Sequence, residues 1–167
     1  MRKILVIVVL AWLGWILATN SDVPSPGAST VLPGGLIPTP PEAEASGRTD
    51  TVAYVIDGDT VVLASGLTVR LRGIDAPERE ECASARSTRS LARLIRGERV
   101  RLVRAGDDRD RYGRLLRYVD LGRTDAGLRQ IKRGLAIARY DSRDGYGAHP
   151  REDAYVAADR RSPDFVC

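Results

Sequence analysis

Histidine and cysteine are nearly missing from this chain, with one histidine, His149, and two cysteines, Cys82 and Cys167, in 167 residues. A closed zinc site needs four nitrogen or sulfur ligands, so any metal here falls to oxygen ligands, and hard cations such as calcium or magnesium are the ones to consider. Lysine is equally scarce. Residues 51–167 carry 23 basic and 18 acidic side chains, and every basic one except Lys132 is arginine. Arginine's planar fork suits bidentate contact with phosphate, and a basic folded part favours a polyanionic partner. Tryptophan does not occur beyond Trp15. Both tryptophans belong to one apolar run, Ile4 to Ala18, which follows the basic head Met1-Arg2-Lys3.

That run of 15 residues sits at the upper end for a signal-peptide core and below the roughly 17 to 25 residues of a spanning helix. Export with cleavage near Ala18 is the reading taken; a retained membrane anchor is the alternative. Residues 19–49 are rich in Pro, Ser, Gly, Ala and Thr, a composition that cannot bury enough apolar surface to offset its ordering entropy. The chain is therefore expected to divide into residues 1–18 as signal peptide or anchor, 19–49 as a disordered linker, and 50–167 as the folded domain.

From Thr51 the pattern is one of short β-branched runs. Val52 to Ile56 and Thr60 to Leu63 flank Asp57-Gly58-Asp59, and Ser65-Gly66 turns into Leu67 to Ile74, predicting three consecutive antiparallel strands. Ser84 to Arg96 carries Thr88, Leu91, Ala92 and Ile95 at helical spacing. Strands are predicted over Arg99 to Arg104 and Arg114 to Leu121, then a helix capped by Thr124 or Asp125 and stopped by Gly134. A third helix, Arg151 to Arg160, follows Pro150 with Ala154, Ala157 and Ala158 inward. Five strands interrupted by a helix predict an α+β, mainly β fold: a five-stranded Greek-key barrel of the oligonucleotide-binding (OB) type with three helices.

The chemistry gathers between residues 57 and 78, in DGDT (Asp57 to Thr60) and RLRGIDAPE (Arg70 to Glu78). Asp59, Asp75 and Glu78 offer hard oxygen ligands and a proton acceptor, and Arg70 a fixed cation, which are the groups that in-line attack on a phosphodiester requires. Each residue taken singly has a plainer reading. Asp57 and Asp59 are common hairpin-turn residues, Asp75-Ala76-Pro77 can be a strand exit, and Glu78 lies in an acidic run with Glu80 and Glu81. Strict alternation places Arg70 and Arg72 on one face and Asp75 on the other. If Arg70 and Asp75 share a site, the strand must bend or bulge near Gly73.

DGDT, RLRGIDAPE, DRYGR (Asp110 to Arg114) and KRGLAIARY (Lys132 to Tyr140), in this order and spacing, resemble the staphylococcal nuclease (thermonuclease) family over about residues 51–160. The resemblance implies the five-strand barrel, calcium as cofactor, and cleavage of DNA and RNA to 3′-phosphorylated products. By position it implies Asp59, Asp75 and the Ala76 carbonyl as calcium ligands, with Asp57 close behind them. Arg70 and Arg114 would hold the scissile phosphate, Glu78 would orient or deprotonate water, and Tyr112 and Tyr140 would line the nucleotide pocket. The loop after Glu78 is shorter and more acidic than the family's, and the chain ends in Ser162 to Cys167 in place of a basic tail.

The exported setting favours one disulfide, Cys82 to Cys167, closing some 85 residues and adding about 4 kcal/mol in the chain-entropy model. His149 reads as a helix cap or surface residue. The partners expected are DNA and RNA, with membrane only if the N-terminal segment stays uncleaved, and the chain is expected to be a monomer, secreted or anchored with the domain outside the cytoplasm. A non-catalytic nucleic-acid-binding barrel is the second reading. A membrane-tethered interaction module would need an exposed apolar surface that the arginine-rich domain does not suggest.

Overall fold

The computed structural model describes residues 47–163 and 165. The expected signal or anchor segment, most of the linker and Cys167 lie outside the described residues. Strands β1 (Arg48–Val55), β2 (Thr60–Leu63) and β3 (Thr68–Leu71) form an antiparallel meander, followed by the two-residue β4 (Ile74–Asp75). Then come α1 (Ser84–Ile95), β5 (Arg99–Arg109), β6 (Leu115–Leu121), β7 (Thr124–Asp125), α2 (Ala126–Lys132), β8 (Ile137–Ala138), a 3-10 turn (Ser142–Asp144) and α3 (Glu152–Asp159).

The strand order is β3-β2-β1-β5-β6-β7, and a parallel pairing of β3 with β6, from Val69 opposite Leu115 to Leu71 opposite Arg117, closes five strands into a barrel. Closure leaves neither β3 nor β6 with an open edge. With three helices against it, this is the mainly β OB-type fold expected from the strand pattern. The barrel is filled by Val52, Val61, Leu63, Val69, Leu71, Val100, Leu102, Leu115 and Val119, all buried. Each such side chain contributes about 1.5–3 kcal/mol of apolar burial.

Three boundaries differ from the sequence reading. β1 begins at Arg48, so Arg48 and Thr49, assigned to the linker by composition, pair with Leu102 and Arg101. The third strand is not continuous to Ile74: it stops at Leu71, and Gly73 (φ 79) redirects the chain so that Ile74 and Asp75 pair with Ala138 and Ile137 in a separate two-stranded sheet. The bend anticipated near Gly73 is there. β5 runs on to Arg109 because its charged residues find partners across the hairpin. Arg117 binds the Asp108 carboxylate, and Arg104 lies 3.6 Å from it.

The helices follow their apolar faces with two corrections. α3 buries Tyr155 and Ala158, while Ala154 is exposed, because the larger tyrosine ring takes the inward position. His149 is not a surface residue. It is buried, its Nδ1 lies 2.8 Å from the Tyr118 hydroxyl, and its carbonyl accepts the Glu152 N–H at 3.0 Å as a cap would. α2 is capped as expected by Asp125, whose carboxylate accepts the Leu128 N–H at 3.0 Å.

Candidate active site

The acidic turn between β1 and β2 is tightened by Asp57, whose Oδ1 accepts the Asp59 N–H at 3.1 Å, an Asx turn. Gly58 at its apex presses on α1. A Cβ there would stand 1.9 Å from Ser87 Oγ and 2.6 Å from Ala76 Cβ, so no other residue fits. The Gly58 carbonyl accepts Gln130 Nε2 at 3.0 Å, and the same amide donates to the Ser87 carbonyl at 3.0 Å. Ser87 Oγ in turn donates to the Leu135 carbonyl at 2.6 Å. This buried polar set, drawn from α1 and α2, seats the turn.

Asp59, at the entry to β2, is 2% exposed. Its Oδ1 accepts from the Thr60 hydroxyl at 2.9 Å and from Arg70 Nη1, and its Oδ2 accepts the Ala76 N–H at 2.9 Å. Arg70 reaches it because β3 pairs Arg70 with Thr60. The other guanidinium nitrogen, Nη2, donates to Asp75 Oδ1 at 2.8 Å. One fork thus joins a carboxylate from the turn to a carboxylate from the corner after Gly73.

Tyr140 completes the group. Its hydroxyl donates to Asp75 Oδ1 at 3.3 Å, and the Arg70 guanidinium lies 5.4 Å from its ring centroid. The residue is left-handed, φ 58, and its N–H donates to Asp144 Oδ2 at 2.9 Å. That conformation costs an aromatic residue about 1–2 kcal/mol, and the antiparallel β4–β8 pair brings the chain to it.

Burial pushes the Asp59 carboxyl up to about 7, against the pull of Arg70 and with added repulsion from Asp57. Despite its own burial, Arg70 is held protonated by Asp59 and Asp75. Asp59 and Asp75 thus share one guanidinium while Asp57 adds its charge beside Asp59, so an ionised Asp59 is only partly compensated in a poorly solvated place. The donor set is all hard oxygen, which fits calcium or magnesium. Among the described residues no three His, Cys, Asp or Glu side chains form a ready metal cage. A cation held here would have two carboxylates, Asp59 and Asp75, to bind and would need its remaining ligands from backbone, water or substrate.

Of the residues singled out from sequence, the structure brings together Asp57, Asp59, Arg70, Asp75, Ala76 and Tyr140. It leaves Glu78, Arg114 and Tyr112 outside that bonded group. Glu78 is exposed just past Pro77, and its carboxylate makes no hydrogen bond or ion pair among the described residues. Arg114 Nε donates to Asp110 Oδ2 at 2.6 Å, and its guanidinium lies 5.3 Å from the Tyr112 ring centroid. Leu116 pairs with Arg70, so alternation places Arg114, two residues earlier, on the same barrel face as Arg70. Tyr112 is 68% exposed. Thr60, Ser87 and Gln130 escaped the sequence reading. The signal for Ser87 and Gln130 was a polar residue at a helix position that periodicity assigns to the core, and Thr60 had none beyond its place at the start of β2.

Fold and cradle together define an OB-type barrel that carries a paired-carboxylate, arginine-bridged site. A family model, that of staphylococcal nuclease homologues, matches residues 68–162, and the chain belongs to that family. Over 95 residues it is 37% identical to an uncharacterized endonuclease of Haemophilus influenzae, covering 54% of this chain and 52% of the relative. It is 34% identical over 107 residues to a thermonuclease of Staphylococcus intermedius, covering 58% and 63%. With a thermonuclease of Staphylococcus hyicus the identity is 31% over 107 residues, covering 59% and 63%. The chain thus spans from about half to just under two thirds of the length of these relatives.

Proposed function

We propose that this protein is a calcium-dependent, sugar-nonspecific nuclease that hydrolyses phosphodiester bonds of DNA and RNA to 3′-phosphorylated products. The observation that carries the reading is the meeting of Asp59 and Asp75 on Arg70, with Asp59 buried at the cost of a raised pKa. A domain that only bound nucleic acid would gain nothing from that burial. The relatives named as endonuclease and thermonuclease support it.

Asp59 and Asp75, with the Ala76 peptide beside them and Asp57 behind, would hold the cation. Calcium supplies positive charge against the phosphate oxygens when bound and tolerates the few, loosely arranged ligands offered here. Arg70 and Arg114 aim guanidinium forks at the non-bridging oxygens, where charge grows in the transition state. Glu78, unengaged and exposed, orients the attacking water and accepts its proton as the new bond to phosphorus forms and the bond to the 5′ oxygen breaks, the 5′ oxygen taking a proton from solvent as it leaves. Tyr140 holds Asp75 and Arg70 in register through its hydroxyl and ring. Tyr112, against Arg114, offers a stacking surface for a base.

The proposal includes export, with the N-terminal segment cleaved near Ala18 or kept as an anchor. Millimolar calcium outside the cell suits a site of two carboxylates. A monomer with Cys82 and Cys167 joined belongs to the same reading.

The test is cleavage by the full chain of single-stranded DNA, duplex DNA and RNA, each with calcium, with magnesium and with a chelator. Calcium is expected to support cleavage of all three with 3′-phosphate ends, and chelation to abolish it. Cleavage that survives the chelator removes the metal from the account, and no cleavage under any condition leaves a non-catalytic binder.

A further inference from the structure

Arginines of the barrel and its loops are largely neutralised by acids. Arg70, Arg101, Arg114, Arg117 and Arg151 each contact an aspartate. The helices α1 and α2 are different. From Ser84 to Gly97 and from Ala126 to Gly134 there is no acidic residue, the flanking acids being Glu81, Glu98 and the cap Asp125. On α1 and its C-cap, Arg89, Arg93 and Arg96 recur at a spacing of four and three, which puts them on one face, opposite the buried Ser84, Ser87, Leu91 and Ile95. On α2, Arg129 and Lys132 are exposed at the same three-residue spacing. None of these five makes an ion pair among the described residues.

The two helices that carry the stripes are joined directly. Arg133 Nη1, at the end of α2, donates to Ser90 Oγ in the middle of α1 at 2.9 Å, stitching the helices together. Like charges one turn apart weaken a helix, so the stripe works against the element that carries it. The inner sides of these helices hold the acidic turn, through Ser87 below Gly58 and through Gln130 to the Gly58 carbonyl. Their outer sides therefore belong to the same rigid unit as the cradle.

We propose that this face is a second nucleic-acid contact, one that holds the sugar-phosphate backbone of a long substrate outside the cradle and makes its affinity depend on length and salt but not on sequence. The inference rests on the nuclease reading above and adds a surface to it. Guanidinium forks match phosphate, and neutralised phosphates release counterions. Anionic lipid is disfavoured because a helix that lies on a membrane pairs its basic residues with apolar anchors. The exposed large hydrophobic residues, Tyr54, Tyr112, Tyr146 and Phe165, all lie off α1 and α2.

The test compares the full chain with a variant carrying Arg89→Gln, Arg93→Gln, Arg96→Gln and Arg129→Gln, and with the matching lysine variant. Binding of a long DNA duplex is read by anisotropy in chelator, so that no turnover enters, and cleavage of a trinucleotide is read with calcium. The glutamine variant is expected to bind the duplex at least tenfold more weakly, with a log-log salt slope smaller by about two to four, since each phosphate contact contributes about 0.9. The lysine variant keeps the parental slope, and both variants cleave the trinucleotide within twofold of the parent. Unchanged duplex affinity and slope in the glutamine variant overturn the proposal, as does an equal loss on the trinucleotide. A loss of binding to phosphatidylserine vesicles with duplex binding intact also overturns it and assigns the face to lipid. If the parent cleaves nothing, the nuclease reading falls, while duplex binding in chelator still decides the role of this face.

Discussion

Asp59 and Asp75 meet on one guanidinium: Arg70 Nη1 donates to the first and Nη2 to the second, the latter at 2.8 Å. A turn residue and a residue beyond a broken strand are thereby drawn to a common point. The bifurcated contact needs two nitrogens at a fixed angle, which lysine cannot supply. Arg70→Lys is accordingly expected to lower kcat on DNA by roughly a hundredfold or more, the scale of about 3–4 kcal/mol seen on losing a transition-state donor. Steady-state kinetics checks this, and a loss below threefold would remove Arg70 from the chemistry.

Glu78 stands apart from the cradle and bonds to nothing in it, as a group that acts on water would. Glu78→Gln should reduce turnover by about 10² to 10⁴ while leaving the affinity for oligonucleotide, measured by anisotropy in the same calcium buffer, within about threefold. If the variant cleaves at the parental rate, the role assigned to Glu78 is wrong.

Gly58 has no room for a side chain, since its Cβ would overlap Ser87 Oγ and Ala76 Cβ. Gly58→Ala should destabilise the domain by about 1–3 kcal/mol in thermal or urea melts and reduce activity as the turn lifts from α1. An unaltered melting curve would show that the turn is not clamped as described.

The buried His149 gives the pH dependence a sign. Burial, and the nearby Arg72 charge, hold its pKa below the usual 6.5, while Glu152 and Asp141 oppose the shift. The unfolded chain binds a proton at His149 more readily than the folded one below pH 6.5. The contribution of His149 to stability should therefore rise with pH up to about 6.5 and then level, with a slope of at most about 1.4 kcal/mol per unit, opposite in sign to that of Asp59, whose raised pKa makes its own contribution fall over the same window. In melts between pH 5 and 7, His149→Gln should lose that slope. A variant that keeps it would place the proton elsewhere.

The barrel was legible in the sequence because β-branched runs such as Thr60-Val61-Val62-Leu63 alternate with turn pairs such as Ser65-Gly66, and local preference agrees with the final pairing. The cradle was legible only as a set, since Asp57, Asp59 and Asp75 are each ordinary turn or strand-exit residues. The need for a bend at Gly73 followed from side-chain alternation once Arg70 and Asp75 were assigned to one site. Hidden from the sequence were contacts made across long separations. Gln130 reaches Gly58, and His149 packs beside Tyr118 and Tyr155, on grounds that no local pattern announces. The strand character of Asp107 to Arg109 was masked by charge, because what holds it is the pairing of Asp108 with Arg117 across the hairpin and not a core.

Binding of calcium, followed by titration calorimetry of the full chain and of Asp59→Asn and Asp75→Asn, bears most directly on the claim that two converging carboxylates hold one cation. The account predicts a single calcium site in the parent, lost or weakened at least tenfold in each variant. Parental calcium affinity in either variant would contradict it.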